Sequence, residues 1–219
     1  MQVGIVTWAV PGERFLATRP DAPLVVVAAA DAPVPGARVV RVGERLARAA
    51  AVNRGVVALP DTEWVVAADP RVEWSPGVLD ALHAAAARHP RAGVLGPALR
   101  GTDGSVLPSA GNLPDRRDLR RRRLPLGAPR STGPVGWVAG TFLLLRRAAW
   151  ESVDGFDARH LGPLDAVDLA ARLRRAGWLA VHVPAAEVVV GPGPATGMLE
   201  SVDSGLRRYA QDRRENRNG

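Results

Sequence analysis

Short apolar runs separated by stretches of helical periodicity recur along this chain, and that alternation restricts it to a sheet with helices on its faces. Val3 to Trp8, Leu24 to Ala30 and Arg38 to Val42 read as the first three strands. Ala49, Val52, Val56 and Leu59 then recur at spacings of three and four, which predicts an amphipathic helix over residues 44–59. Trp64 to Ala68 is a buried strand ending at Asp69-Pro70. Ser75-Pro76 is an N-cap and N1 pair opening a helix that buries Val78, Leu82 and Ala85. Residues 101–134 are rich in Gly, Pro and Arg and are expected to be irregular, with one short strand near Val106. Gly136 to Leu145 follows as a strand, Ala148 to Val153 as a short helix, and Asp165 to Ala176 as a helix capped by Gly177. Trp178 to Val183 and Glu187 to Val190 are late strands. Gly191 to Pro194 breaks the chain before a polar helix near Leu199 to Ala210.

A length of 219 residues suits one α/β domain with a substantial core. The chain has no Cys, which rules out disulfides and thiolate chemistry. The first residues read as a strand and carry no basic leader, and no apolar run approaches the ~20 residues of a membrane span, Trp137 to Leu145 being the longest. A cytoplasmic protein is expected, with any membrane contact peripheral and on the inner face. The net charge is +7, and every basic residue is arginine. Arg116, Arg117, Arg120, Arg121, Arg122 and Arg123 fall within eight residues. They form either a solvated loop or a patch attracting phosphates and anionic lipid heads. No aromatic residue interleaves with them, so nucleic acid is not an expected partner.

Trp137-Val-Ala-Gly140, an apolar run ending in Arg146-Arg147, Gly155-Phe156-Asp157, Leu164-Asp-Ala-Val-Asp-Leu169 and Arg174-Arg-Ala-Gly-Trp178 stand in a fixed order. This block resembles the acceptor side of the family 2 glycosyltransferases, especially the rhamnosyltransferase-like ones of bacterial surface polysaccharides. Ala47-Arg-Ala-Ala-Ala-Val-Asn53-Arg-Gly55 is similar to that family's Gly-x-Ala-x-Ala-x-Asn-x-Gly helix, and Trp64 to Pro76 to its strand and acidic turn. The resemblance implies a single GT-A-like (Rossmann-like) α/β domain over residues 1–194, with a mainly parallel sheet flanked by helices. Within it, residues 1–100 form a nucleotide-binding half, 101–134 the Arg-rich segment and 135–194 an acceptor-side half. Residues 195–219 form a C-terminal helix and charged tail.

The same resemblance assigns chemistry. The family holds Mg²⁺ or Mn²⁺ on an Asp-x-Asp turn, and the matching turn here is Asp69-Pro70-Arg71. A guanidinium repels a divalent cation, so no metal ligand set and no cofactor is expected. Arg71 either contacts a diphosphate in place of the metal or faces solvent while Asp69 holds the turn. Where the family's Val-Val-Asp-Asn contacts the nucleoside, this chain has Val26-Val27-Ala28-Ala29. The family's Glu-Asp pair appears as Asp165-Ala166, leaving a methyl group at the position of the usual base. Asp165 is either a relocated base or an acid at a helix N-terminus. The family's late His falls near Val190-Gly191 and is absent; His160 and His182 stand nearby in sequence. Asp168 and Arg172 have the spacing of a surface ion pair. Thr7, Asn53, Asp69, Arg71, Trp137 and Gly140 are the candidate substrate-binding residues, and Asp165 is the candidate catalytic residue. The expected role lies in surface-glycan assembly. The chain is either a non-catalytic binder of a glycan, a lipid-linked acceptor or a partner glycosyltransferase, or an active, metal-independent inverting transferase using a nucleotide sugar.

Overall fold

Runs of Val and Ala form the parallel part of the sheet. The structure, a computed structural model, describes residues 2–29, 33–121, 123–126, 131–192 and 206–211. β1 (Val3–Trp8) pairs in parallel with β2 (Leu24–Ala28) and β4 (Trp64–Ala68), and β2 pairs with β3 (Ala37–Arg41). Every residue of β2 and β4 is buried, as strands covered on both faces require. The alternation of side chains splits the interior into two layers. Val6, Val25, Val27, Val65 and Ala67 face α2 (Arg48–Ala58), while Ile5, Val26, Val66 and Ala68 face Phe15 of α1 (Glu13–Thr18). Gly55 lets α2 lie close on this sheet, since a Cβ there would overlap the Val6 side chain.

β5 (Val72–Trp74), α3 (Val78–Arg88) and β6 (Ala92–Gly101) complete the first half. The second half contributes β7 (Val106–Leu107), β8 (Ala110–Gly111), α4 (Arg116–Arg120), β9 (Gly133–Val135), β10 (Trp137–Val138), β11 (Phe142–Arg146), α5 (Arg147–Glu151), α6 (Leu164–Arg175) and β12 (Leu179–Val190). The main sheet runs β3-β2-β1-β4-β11-β6-β12-β5, with β7 on β6 and β9 on β12; β8 and β10 form a separate antiparallel pair. β11 enters antiparallel to both of its neighbours. The late helix α6 packs on the α2 side, where Leu169 and Leu173 meet the same core as Leu206 and Tyr209.

Several elements differ from the sequence reading. The α2 helix begins at Arg48 rather than Glu44, because Ala47 is already extended and serves as its N-cap. The expected strand over 136–145 divides into β10 and β11: Ala139 bonds back to Ser109, and Gly140-Thr141 turns the chain. Ser75-Pro76 is a turn before α3, whose N-cap is Gly77 at φ 74°. β6, with ten residues, went unread because Gly93, Gly96 and Pro97 interrupt its apolar run. These glycines admit close neighbours, Gly96 lying against Val138 and Gly93 against Ala149 and Trp178. Residues 101–134 hold β7, β8, α4 and the start of β9 rather than one short strand. The two late strands are one, β12, with an irregularity between Val183 and Glu187. Gly177, at φ 87°, ends α6 as expected: Trp178 N–H bonds to Leu173 C=O and Gly177 N–H to Arg174 C=O, the Schellman pattern. Of the expected C-terminal helix, residues 206–210 are helical and 199–205 lie outside the described residues.

Candidate functional site

In the order β3-β2-β1-β4 the chain travels outward from β1 to β3 and then returns to the far side of β1 for β4, and such a reversal opens a crevice at the carboxyl ends of the strands. A cleft of about 270 Å³ lies at these strand ends, lined by Trp8, Ala9 and Val10 at the end of β1, Val27 to Ala29 at the end of β2, and Arg45 and Leu46 ahead of α2. Ala9 has φ 64°, left-handed backbone that is uncommon for a residue with a side chain. Its N–H still bonds to Val27 C=O, so the chain leaves the sheet at once and exposes Val10 to the cleft. Ala28 and Ala29 line this cleft with methyl groups, so their side chains offer a ligand no hydrogen bond.

Beside the cleft sits a buried charge pair. Asp165, at the start of α6, has a side chain 1% exposed, and Arg48, the first residue of α2, reaches it with two guanidinium nitrogens. The Arg48 Nε–Oδ2 distance is 2.9 Å, and Arg48 also donates to Gly162 C=O at 2.8 Å. The guanidinium lies 6.0 Å from the Trp8 ring and presses on Gly140, where a Cβ would overlap it. Gly140 is therefore a close-approach position. Burial pushes the Asp165 carboxyl above the usual carboxylate range, against the opposing pull of Arg48. A base must reach an acceptor hydroxyl, and this carboxylate is enclosed and already occupied. Arg48 is the functional neighbour that sequence reasoning missed.

The turn after β4 is also closed on itself. Asp69 accepts from the Arg71 backbone N–H at 2.9 Å, from Arg71 Nε at 2.8 Å and from Arg71 Nη2 at 2.9 Å. Asp69 thus holds the turn, and the Arg71 guanidinium folds back onto it while its side chain stays 40% exposed. Both carboxylate oxygens are engaged and the adjacent charge is positive, so these residues do not fit a divalent cation. A second acidic grouping, Asp157, His160 and Asp168, brings its donor atoms within 4.8 Å of one another. Its carboxylates are likewise neutralised: Arg159 grips Asp157, and Arg172 Nε meets Asp168 at 2.7 Å. Arg159 holds the Asp157 carboxyl down to about 2, below the usual range. The Asp168–Arg172 pair forms as its spacing implied, but Asp168 is only 6% exposed, so it is an interior pair rather than a surface one. Arg172 also ties down the Val153 and Gly155 carbonyls.

Other expected binding residues are occupied structurally. Asn53 donates to Phe156 C=O at 2.7 Å and accepts from Phe156 N–H at 2.9 Å, a two-point clamp between α2 and the Gly155-Phe156-Asp157 loop. Trp137 is 2% exposed, with its indole N–H on Asn112 C=O. Thr7 is fully buried in β1. His182 meets Ser109 Oγ at 3.0 Å inside the protein. The structure therefore brings together Gly140, Asp165 and the unforeseen Arg48, with Trp8 between them and the cleft. It keeps Asn53 and Trp137 in packing roles.

This sheet order and its cleft define the GT-A class of fold, and solved glycosyltransferase structures share it. GalNAc-T7 with UDP, GalNAc and Mn²⁺ superposes at a TM-score of 0.66 with 12% identity, over 89% of this chain and 44% of that one. The mannosyltransferase PcManGT from Pyrobaculum calidifontis, in complex with GDP-Man and Mn²⁺, gives 0.59 with 19% identity, over 90% and 58%. TarS from S. aureus, residues 1–349, gives 0.58 with 12% identity, over 87% and 60%. The sequence profile of "Glycosyltransferase like family 2" matches residues 16–208, and the chain belongs to that family. It is 39% identical over 192 residues to N-acetylglucosaminyl-diphospho-decaprenol L-rhamnosyltransferase of Mycobacterium tuberculosis, in both strain CDC 1551 / Oshkosh and strain H37Rv. That match takes in 74% of this chain and 61% of each relative, so the chain spans about three fifths of their length.

Proposed function

We propose that this protein serves bacterial surface-glycan assembly as a family 2 member that binds a nucleotide sugar, glycan or lipid-linked acceptor, or a partner glycosyltransferase, and transfers sugar slowly or not at all. One observation carries this reading: both acids at the family's chemical positions are closed onto arginines, Asp69 onto Arg71 and Asp165 onto Arg48. Without a free base, the attacking hydroxyl loses general-base help typically worth ~10²–10⁴-fold. At the turn after β4, where Arg71 engages both oxygens of Asp69, a cation does not fit, and the usual neutralisation of the leaving diphosphate is lost there. Binding survives these losses because the cleft at the ends of β1 and β2 is open and walled by Trp8.

A second reading is favoured by the 39% identity to a rhamnosyltransferase. In it the protein is an active, metal-independent inverting transferase: Arg71 turns outward to the diphosphate, and Asp165 is released from Arg48 to act as base. One assay separates the two. Nucleotide-activated L-rhamnose and other nucleotide sugars are incubated with an N-acetylglucosaminyl-diphospho-polyprenol acceptor, and product is followed by mass spectrometry. The first reading expects little or no turnover, unchanged by Asp165→Asn, together with metal-independent binding of a nucleoside diphosphate by calorimetry. Turnover that disappears in Asp165→Asn establishes the second.

A further inference from the structure

Arg116 to Arg120 form the helix α4, and its cap gives the arginines a direction. Asp115 caps α4 with a full capping box: its carboxylate accepts from the Arg117 and Asp118 backbone N–H groups, and Asp118 in turn accepts from the Asp115 N–H. The segment's two acids are thus engaged by the backbone. At about 100° per residue, Arg116, Arg120, Arg117 and Arg121 spread over a continuous arc of about 140°. Leu119 falls outside that arc and packs with Leu124 on the core shared with α2 and α6. Arg116, Arg117, Arg120, Arg121 and Arg123 are all exposed; Arg122 lies outside the described residues. Leu126, two residues past Leu124, is 60% exposed.

We propose that this arc is the docking surface for an anionic lipid bilayer. The four arginines of the arc share one sign and spread over a convex helix face, with Asp115 and Asp118 engaged at its cap. A spread arc of this kind suits an extended anionic surface rather than an enclosed phosphate ligand. No aromatic residue occurs between residues 112 and 126 to stack on a nucleobase, whereas an exposed leucine beside the arginines suits shallow insertion among lipid headgroups. The arc is also linked to the cleft. It follows β8, which pairs with β10, and two residues past β10 Gly140 meets the Arg48 guanidinium. Docking here holds the Arg48–Asp165 region near the membrane, where a lipid-linked acceptor is presented. The surface works whether or not the cleft transfers sugar, so its failure is distinguishable from failure of the functional reading.

The test is co-sedimentation with vesicles of phosphatidylcholine alone and with 30% phosphatidylglycerol. The expected result is binding to the anionic vesicles only, falling steeply between 0.1 M and 1 M salt as the Debye length drops from ~10 Å to ~3 Å. Each arginine near the surface is worth about fivefold in partitioning, so Arg116→Gln, Arg117→Gln, Arg120→Gln and Arg121→Gln together lower it by at least about a hundredfold. Circular dichroism with an unchanged melting temperature shows that this variant remains folded, as exposed positions should allow. Leu126→Ser weakens binding at high salt more than at low salt. Equal binding to both vesicle types, unchanged binding by the fourfold variant, no binding to either vesicle, or retention on RNA without retention on vesicles overturns the proposal.

Discussion

Replacing Arg48 with Met removes one partner of the buried pair and leaves Asp165, 1% exposed, without its cation. Removing one side of such a pair typically costs about 3–5 kcal/mol, because the remaining charge is stranded. Asp165 has an escape: it takes a proton. The cost of protonating a carboxyl whose unfolded reference is near 3.9 is about 1.4 kcal/mol per pH unit, so the penalty is capped at about 4 kcal/mol at pH 7 and about 1.5 kcal/mol at pH 5. The sign follows from linkage. Burial already raises the Asp165 carboxyl in the folded state, and Arg48→Met raises it further. The folded variant then binds a proton that the unfolded chain lacks, so its stability is greatest below about pH 4 and falls as the pH rises above that. Thermal unfolding at pH 5, 6 and 7, with wild type as reference, should show the deficit growing with pH. At about 2–4 °C per kcal/mol for a chain of this size, the loss is ~3–6 °C at pH 5 and ~8–16 °C at pH 7. Adding Asp165→Asn should restore a pH-independent difference. A deficit that is flat from pH 5 to 7, or below 1 kcal/mol throughout, would refute the account of Asp165 as an enclosed, paired carboxylate, and with it the argument that it is unavailable as a base.

Two further perturbations test the neighbouring geometry. Calorimetric titration with Mn²⁺ is expected to show no stoichiometric site, since Arg71 occupies both oxygens of Asp69; a one-to-one signal lost in Asp69→Ala would reverse this. Asn53→Ala deletes two hydrogen bonds to Phe156 and leaves its N–H and C=O without that partner, a loss of about 2–3 kcal/mol in chemical denaturation with no change in nucleotide affinity. A selective loss of nucleotide binding at full stability would make Asn53 a ligand contact instead.

Strands β1 to β4 and helices α2 and α3 were legible because runs such as Val25 to Val27 and Val65 to Ala67 are uninterrupted and the helical stripes are regular, whereas the short elements α1 and β5 carry too few residues to show a period. The long strand β6 was not, because glycines serving contacts from other elements broke its pattern; that information lies in Val138, Ala149 and Trp178, far along the chain. The site was legible in part. Arg71 and Ala166 stand in the sequence, but the pairing of Asp165 with Arg48 spans 117 residues, and no local pattern announces a contact at that distance. Asn53 and Trp137 were marked by motif, and a motif does not say whether a polar group faces a ligand or the backbone of a neighbouring loop.

The placement of β11 between β4 and β6, and of β12 between β6 and β5, bears on how the chain matures. During synthesis, residues 1–101 emerge with β4 and β6 each lacking a neighbour, and both edges are apolar. The gap closes only when residues 142–146 arrive, and β5 gains its partner only with residues 188–190. Until then the nascent chain presents unpaired backbone of the kind that templates wrong association, a hazard that chaperones exist to cover. The charged α4 segment leaves the ribosome inside that waiting interval.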